Sequence, residues 1–184
     1  MIEVTVNGIP LSSLGLAVKR ADIPPLPETR DNSVELAERD GEVDFGARYK
    51  PRIFNLECIL MADDASIDYH QRVAKIAALF NAKNGDMEFT FNFRPGVRYM
   101  ARYAGTMPVE KIIFDGNLTI PLKMHDPFPE SVTEIVVTKT ITQSPELISI
   151  SNNGEVNSYP VIVLKNSGTN TINGFTLTNE YEVE

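Results

Sequence analysis

A mainly β fold with one packed α-helix is predicted by two periodicities in the chain. Met87, Phe89, Phe91 and Phe93 alternate with Glu88, Thr90 and Asn92, the two-residue period of a strand with one face in the core. Phe54, Leu56, Cys58 and Leu60 alternate in the same way across 53–60. Between these strands the period changes. Tyr69, Val73, Ile76 and Phe80 make a single apolar stripe, which predicts a helix over 66–83. Ser66 is placed to cap it, Asp68 suits the first turn, and Gly85 follows as a stop. One such helix is enough to cover a sheet face. His70 lies beside the stripe with no spaced His, Cys or carboxylate partner, and reads as a partly exposed helix residue.

The other elements follow in order. Ile2, Val4 and Val6 alternate up to Asn7-Gly8, a strong hairpin signal, and the return through Ile9 and Leu11 is weakened by Pro10. Across 21–50 core patterning fades: three prolines (Pro24, Pro25, Pro27) precede a charged stretch with short apolar pieces at 34–36 and 43–45. Two readings fit, a mobile solvated loop or an extended hairpin arm ordered against a neighbouring subunit; functionless loops of such length are uncommon. After a Pro95-Gly96 turn, Tyr99, Ala101 and Tyr103 oppose Arg98 and Arg102. Arg94, Arg98 and Arg102 form a basic series that reads as a solvated or subunit-facing strand surface. Strands are expected at 109–114 and 118–124 around an Asp115-Gly116-Asn117 turn, and at 132–142. Asp126-Pro127 sets Phe128 on a rigid corner, with Asp126 available to pair with an arginine. From Pro145 onward, short strands at 147–150, 159–164 and 174–178 sit between Asn, Gly and Ser turns. They are too few for an independent core. The expected division is therefore a domain over 1–143 and a β-rich extension over 144–184, read as the opening strands of a second β domain that is cut short.

Composition removes several function classes. Acidic residues outnumber basic ones 25 to 17, a formal charge of -8, which argues against a nucleic-acid binder needing a basic stripe. Cys58 is the single cysteine, so neither a disulfide framework nor a cysteine zinc cluster is available. Its apolar neighbours make it a buried, inert thiol. The first residues carry no signal-peptide pattern, and no apolar run approaches the ~20 residues of a membrane helix. The chain is expected to be made in a cytosol without membrane insertion. Gly41 and Gly46 lack a phosphate-loop lysine and its strand-to-helix setting. Asp63-Asp64, Glu38, Asp40 and Glu42 are carboxylates of the kind glycosidases use, but acids at a helix start and on an exposed segment account for them. No catalytic, cofactor or metal residue is assigned, and the chain is expected not to be an enzyme. A carbohydrate-binding module is the alternative, with Tyr49, Tyr99, Tyr103 and Tyr159 as candidate stacking faces.

Four separated pieces together resemble the distal tail protein family of long-tailed bacteriophages. They are Gly41-Glu42-Val43-Asp44-Phe45-Gly46 with Arg52 opening the next strand; the helix at 66–83; the Asp126-Pro127-Phe128 corner; and Gly154-Glu155-Val156-Asn157-Ser158-Tyr159-Pro160 before Val161-Ile162-Val163. The resemblance implies a β-sandwich carrying one helix and a long β-hairpin arm, followed by partial strands of a galectin-like domain. It also implies a structural role in the virion tail. Six copies would close into a ring that joins the tail tube protein to a hub or fibre protein, around a channel for the tape measure protein and then DNA. A receptor-binding protein is a further implied partner. Synthesis would be in a bacterial host, from a phage or prophage. Glu35, Leu36, Val43, Phe45 and Tyr49 are the expected arm or subunit interface, and Arg94, Arg98 and Arg102 the expected lumen or ring surface. The acidic balance suits a passage that must not trap phosphates.

Overall fold

The computed structural model describes residues 2–61, 67–112, 115–154 and 156–180, and divides into two units, Met1–Thr138 and Lys139–Glu184. In the first unit eleven strands and one α-helix are described: β1 (Val4–Val6), β2 (Ile9–Pro10), β3 (Leu16–Asp22), β4 (Thr29–Glu35), β5 (Glu42–Tyr49), β6 (Arg52–Leu60), α1 (Ile67–Leu79), β7 (Met87–Phe91), β8 (Val97–Tyr103), β9 (Val109–Ile112), β10 (Asp115–Met124) and β11 (Glu130–Ser131). The expected mainly β architecture with one packed helix and a hairpin arm is what forms.

The main sheet runs β2-β1-β7-β8-β10-β6-β3, with β9 on β10 and β11 on β8. An antiparallel bridge between Ile2 and Val18 joins the β1 end back to β3. The two layers of the sandwich are thus continuous at β8–β10 and tied at the opposite edge. The inner face is filled by the alternating residues of each strand. Val4 and Val6, Phe54 through Leu60, Met87 through Phe91, Tyr99, and Leu118 through Met124 supply its buried members. Ring contacts hold its centre: Phe54 meets Phe89 and Tyr99 edge-on at 6.4 Å, and Phe80 of the helix side stacks on Phe89 at 6.3 Å. The helix stripe packs as its spacing requires, with Tyr69, Ile76 and Phe80 buried and Val73 partly buried. Ser66, the expected cap, and the Asp63-Asp64 pair lie outside the described residues.

Several boundaries differ from the sequence reading, each for a physical reason. β3 was not foreseen, because Leu16, Ala17 and Val18 are consecutively buried and show no clear alternation; a register shift between Val18 and Arg20 disturbs the period further. Asp115, Gly116 and Asn117 are not a turn. They belong to β10, where Gly116 pairs with Leu60 and Asn117 with Ile59, so the long ladder with β6 overrides their turn preference. Asn117 accepts a hydrogen bond from Lys19 Nζ at 3.2 Å. The strand expected at 132–142 does not form; only Glu130–Ser131, just before it, pairs with Arg98 and Val97 on β8.

In Lys139–Glu184 the described residues make no strand, and the positions expected at 147–150, 159–164 and 174–178 are exposed. A strand needs a partner for its backbone groups, and β-branched residues do not supply one. What order there is comes from local side-chain bonds. Asn152 accepts from the Gly154 amide and donates to the Val156 carbonyl, and Asn166 does the same with Gly168 and Asn170, at 2.9–3.0 Å.

Candidate assembly surface

β4 and β5 pair only with each other and form a separate two-stranded sheet, the hairpin arm. Its turn uses positive φ at Glu38 (67°) and Gly41 (81°). A bulge sits midway: the register slips between Asp31 and Ser33, and Gly46 at φ 88° takes the strained position. The bulge is held from both sides. Asn32 Nδ2 donates to the Gly46 carbonyl at 3.1 Å, and the Gly46 amide donates to Asp44 Oδ1 at 2.8 Å.

Register decides what each face of the arm shows. Val34 lies opposite Val43, and Phe45 follows two residues on, so one face is apolar. Phe45 is 68% exposed, and Val34 and Leu36 are about half exposed. On the other face Glu35 stands directly opposite Glu42, with Asp44 beyond them. Like charges opposite each other in a ladder are destabilising, and neither Glu35 nor Glu42 has an ion-pair partner among the described residues.

At the root the two strands are closed on each other, and one aromatic contact ties them to the body. The Lys50 amide donates to the Glu28 carbonyl at 2.7 Å, and Lys50 Nζ pairs with the Glu28 carboxylate. Tyr49 meets Phe128 edge-on at 5.3 Å. Phe128 is presented by the corner foreseen at Asp126-Pro127, but by different means: Asp126 Oδ1 accepts from the Phe128 amide at 3.1 Å rather than pairing with an arginine.

The three arginines do not make one stripe. Arg98 and Arg102 share the outer face of β8, and each is balanced by acids on neighbouring elements. Arg98 bonds Glu88 at 3.2 Å and Glu130 at 3.0 Å, and these two bonds raise its pKa above the ordinary value. Arg102 lies 3.7 Å from Asp86 and 2.7 Å from His125 Nε2. Arg94 is separate, in the turn after β7, where its Nη1 donates to the Tyr99 hydroxyl at 3.2 Å. Of the candidate stacking tyrosines, Tyr99 is in the core and Tyr49 is engaged by Phe128, while Tyr159 is exposed in the second unit.

One residue of this region was undervalued in the sequence. Arg52 continues the inward period of Phe54, Leu56 and Cys58, and is only 5% exposed. Its Nε is buried with no hydrogen-bond partner, and among the described residues no carboxylate pairs with it. Burial lowers its pKa below the ordinary arginine value, nearby Tyr99 raises it, and Arg94 lowers it again. The signal was the alternation itself, which places position 52 on the core face. Behind the same sheet, Leu60, Val73, Ile76, Phe80, Tyr103 and Leu118 line an apolar cleft of about 510 Å³. No cluster of metal-binding side chains occurs among the described residues, and none of their helices is long and apolar enough to cross a membrane.

The first unit is thus a helix-bearing β body with a separate amphipathic hairpin. The chain belongs to the family described as phage tail protein RIFT-related domain, whose model matches residues 10–124. No curated protein matches it significantly. Among solved structures, it is similar to the crystal structure of the SPP1 Dit protein, titled a paradigm of the hub adsorption apparatus in phages that infect Gram-positive bacteria. That likeness has a TM-score of 0.63 at 18% identity, over 71% of this chain and 52% of the other, so it concerns the fold. The chain spans about half the length of that relative. A structural role in a phage tail follows from the family.

Proposed function

We propose that this protein is a distal tail component whose copies close into a six-membered ring at the tail tip, linking the tail tube to the baseplate hub or fibre proteins. The observation that carries the reading is the arm. An isolated two-stranded hairpin is marginal in water, and this one exposes Val34, Leu36 and Phe45. Laying that face on the next copy would bury it, and a head-to-tail contact of arm on body is the kind that closes rings. Glu35, Leu36, Val43 and Phe45 then belong to the subunit interface, and Tyr49 holds the arm at its root. The function is structural and not enzymatic. Tail tube, tape measure, hub or fibre, and receptor-binding proteins are its partners in the virion tail. The exposed 139–180 segment is read as strands that need a sheet supplied from elsewhere, in keeping with a second, galectin-like β domain.

Negative-stain microscopy of the protein mixed with its tail tube protein tests this. Rings or end-caps six copies round are expected, and Phe45→Ser should abolish them while leaving the monomer folded. Persistent monomers with no binding to tube ends would reject the proposal.

A further inference from the structure

Two unsatisfied charge groups on the same molecule are complementary. Arg52 is a buried cation with no carboxylate partner among the described residues and an orphaned Nε donor, and Arg94 adds a like charge to its surroundings. Arg94 itself is exposed, and its side chain bonds only the Tyr99 hydroxyl among the described groups. Taking a guanidinium out of water without a counter-charge is strongly unfavourable, and a like charge beside it adds to the cost. At the far end of the arm, Glu35 and Glu42 face each other across the ladder with no cation between them. Burying the first group and forcing the second together are both explained if each is completed by the other.

The two cannot meet within one chain. Glu35 lies six positions along the strand from Thr29 at the arm root, and Glu42 lies seven from Tyr49. At ~3.3 Å per residue the hairpin holds its acids roughly 20 Å beyond its own root. Arg52 follows Tyr49 by only three positions, so it stays at the root. The acids that reach it must come from another copy.

We infer that Arg52 and Arg94, beside the Tyr99 hydroxyl that Arg94 bonds, form a carboxylate-accepting notch at the arm root, filled by the Glu35–Glu42 couple on the arm of a second copy. This rests on the reading that the arm lies on a neighbour, and it adds the site at which the arm ends and the charge that selects it. Arg94 forms the exposed lip and makes the first contact; Arg52 beneath it supplies the desolvated charge, where a carboxylate gains most. The apolar face of the arm remains free to lie against the neighbour's surface.

Two measurements test the notch separately from the arm. On the monomer, Arg52→Met removes a buried cation that nothing in its own chain satisfies. Its Tm should be unchanged or higher. A lower Tm would mean that Arg52 is already satisfied inside one copy, and would overturn the notch whatever the arm does. On concentrated full-length protein, a photo-crosslinking residue at Asp40 reports where the arm tip lies. Links to another copy's peptides containing Arg52 or Arg94 are expected. Links to another copy elsewhere would overturn the notch but keep the arm contact, and links confined to one chain would overturn both. Arg94→Glu should weaken self-association by about tenfold or more, and the single reversal E42K in the same chain, which keeps Glu35 for Arg52, should restore it, as coupled charge pairs do. Failure of that rescue, with both variants folded, also counts against the notch.

Discussion

Cys58 and Gly15 show how a residue's role is fixed by its immediate surroundings. Cys58 faces inward on β6 at 2% exposure, and desolvation pushes its thiol up to about 12 from 9.0. The thiolate is the reactive form, so the native protein should not react with a disulfide reagent at pH 8 and should react fully once unfolded. The linkage has a definite sign. Because the folded pKa is the higher one, this group's contribution to stability is complete below pH about 9 and is lost as pH rises toward 12. Denaturant titrations across that alkaline window, compared with Cys58→Ala, should show the difference. Gly15 has φ 76°, its carbonyl accepts from the Met61 amide at 2.8 Å, and a Cβ there would lie 2.7 Å from the Met61 carbonyl oxygen. Left-handed strain and a backbone clash together predict that Gly15→Ala costs about 2–4 kcal/mol, readable from urea unfolding.

At the scale of elements, the arm is a lever whose angle is set at its root. Its strands make only their own ladder, and the Lys50–Glu28 bonds close its base, so the Tyr49–Phe128 contact decides how it leaves the body. Phe128→Ala should therefore leave global stability within about 1 kcal/mol, because Phe128 is only half-buried. It should nonetheless raise amide exchange across 29–49, measured by mass spectrometry, and weaken self-association. A fall in global stability of several kcal/mol would instead place Phe128 in the core. α1 behaves differently: Tyr69, Ile76 and Phe80 commit it to the sheet, so it has no comparable freedom.

For the whole molecule, the two units differ in what holds them. Met1–Thr138 has a ladder that runs through its sheet and a continuous aromatic core. Lys139–Glu184 has Asn-centred turns and exposed β-branched residues, with no ladder among its described residues. Backbone without ladder bonds opens to proteases. Brief trypsin treatment should cut first at Lys139 and Lys165, leaving a resistant fragment of the first unit. Protection of both sites on adding a tail partner would show that the partner supplies the missing sheet. Initial cleavage at Arg98 or Arg102 would contradict the description of the body.

Some of this was decided by local chemistry and was legible in the residues alone. The strand at 53–60, the strand read from Met87 to Phe93 (which ends at Phe91, leaving Phe93 exposed), the helix stripe from Tyr69 to Phe80, the Asn7-Gly8 turn and the Phe128 corner all follow from a period or a turn preference that needs no partner to be read. So does the inward position of Arg52, although its meaning does not. Tertiary structure decided the rest. β3 exists because β6 pairs with it, Asp115-Gly116-Asn117 are strand because β6 continues past them, and 132–142 is not strand because no neighbour extends that far. The same holds for charge. The sequence shows three arginines in a row of fours, but only the ladders show that Arg98 and Arg102 are neutralised while Arg52 and Arg94 are not. A period is a property of one segment, whereas a pairing belongs to two, and the second cannot be read until the chain has folded.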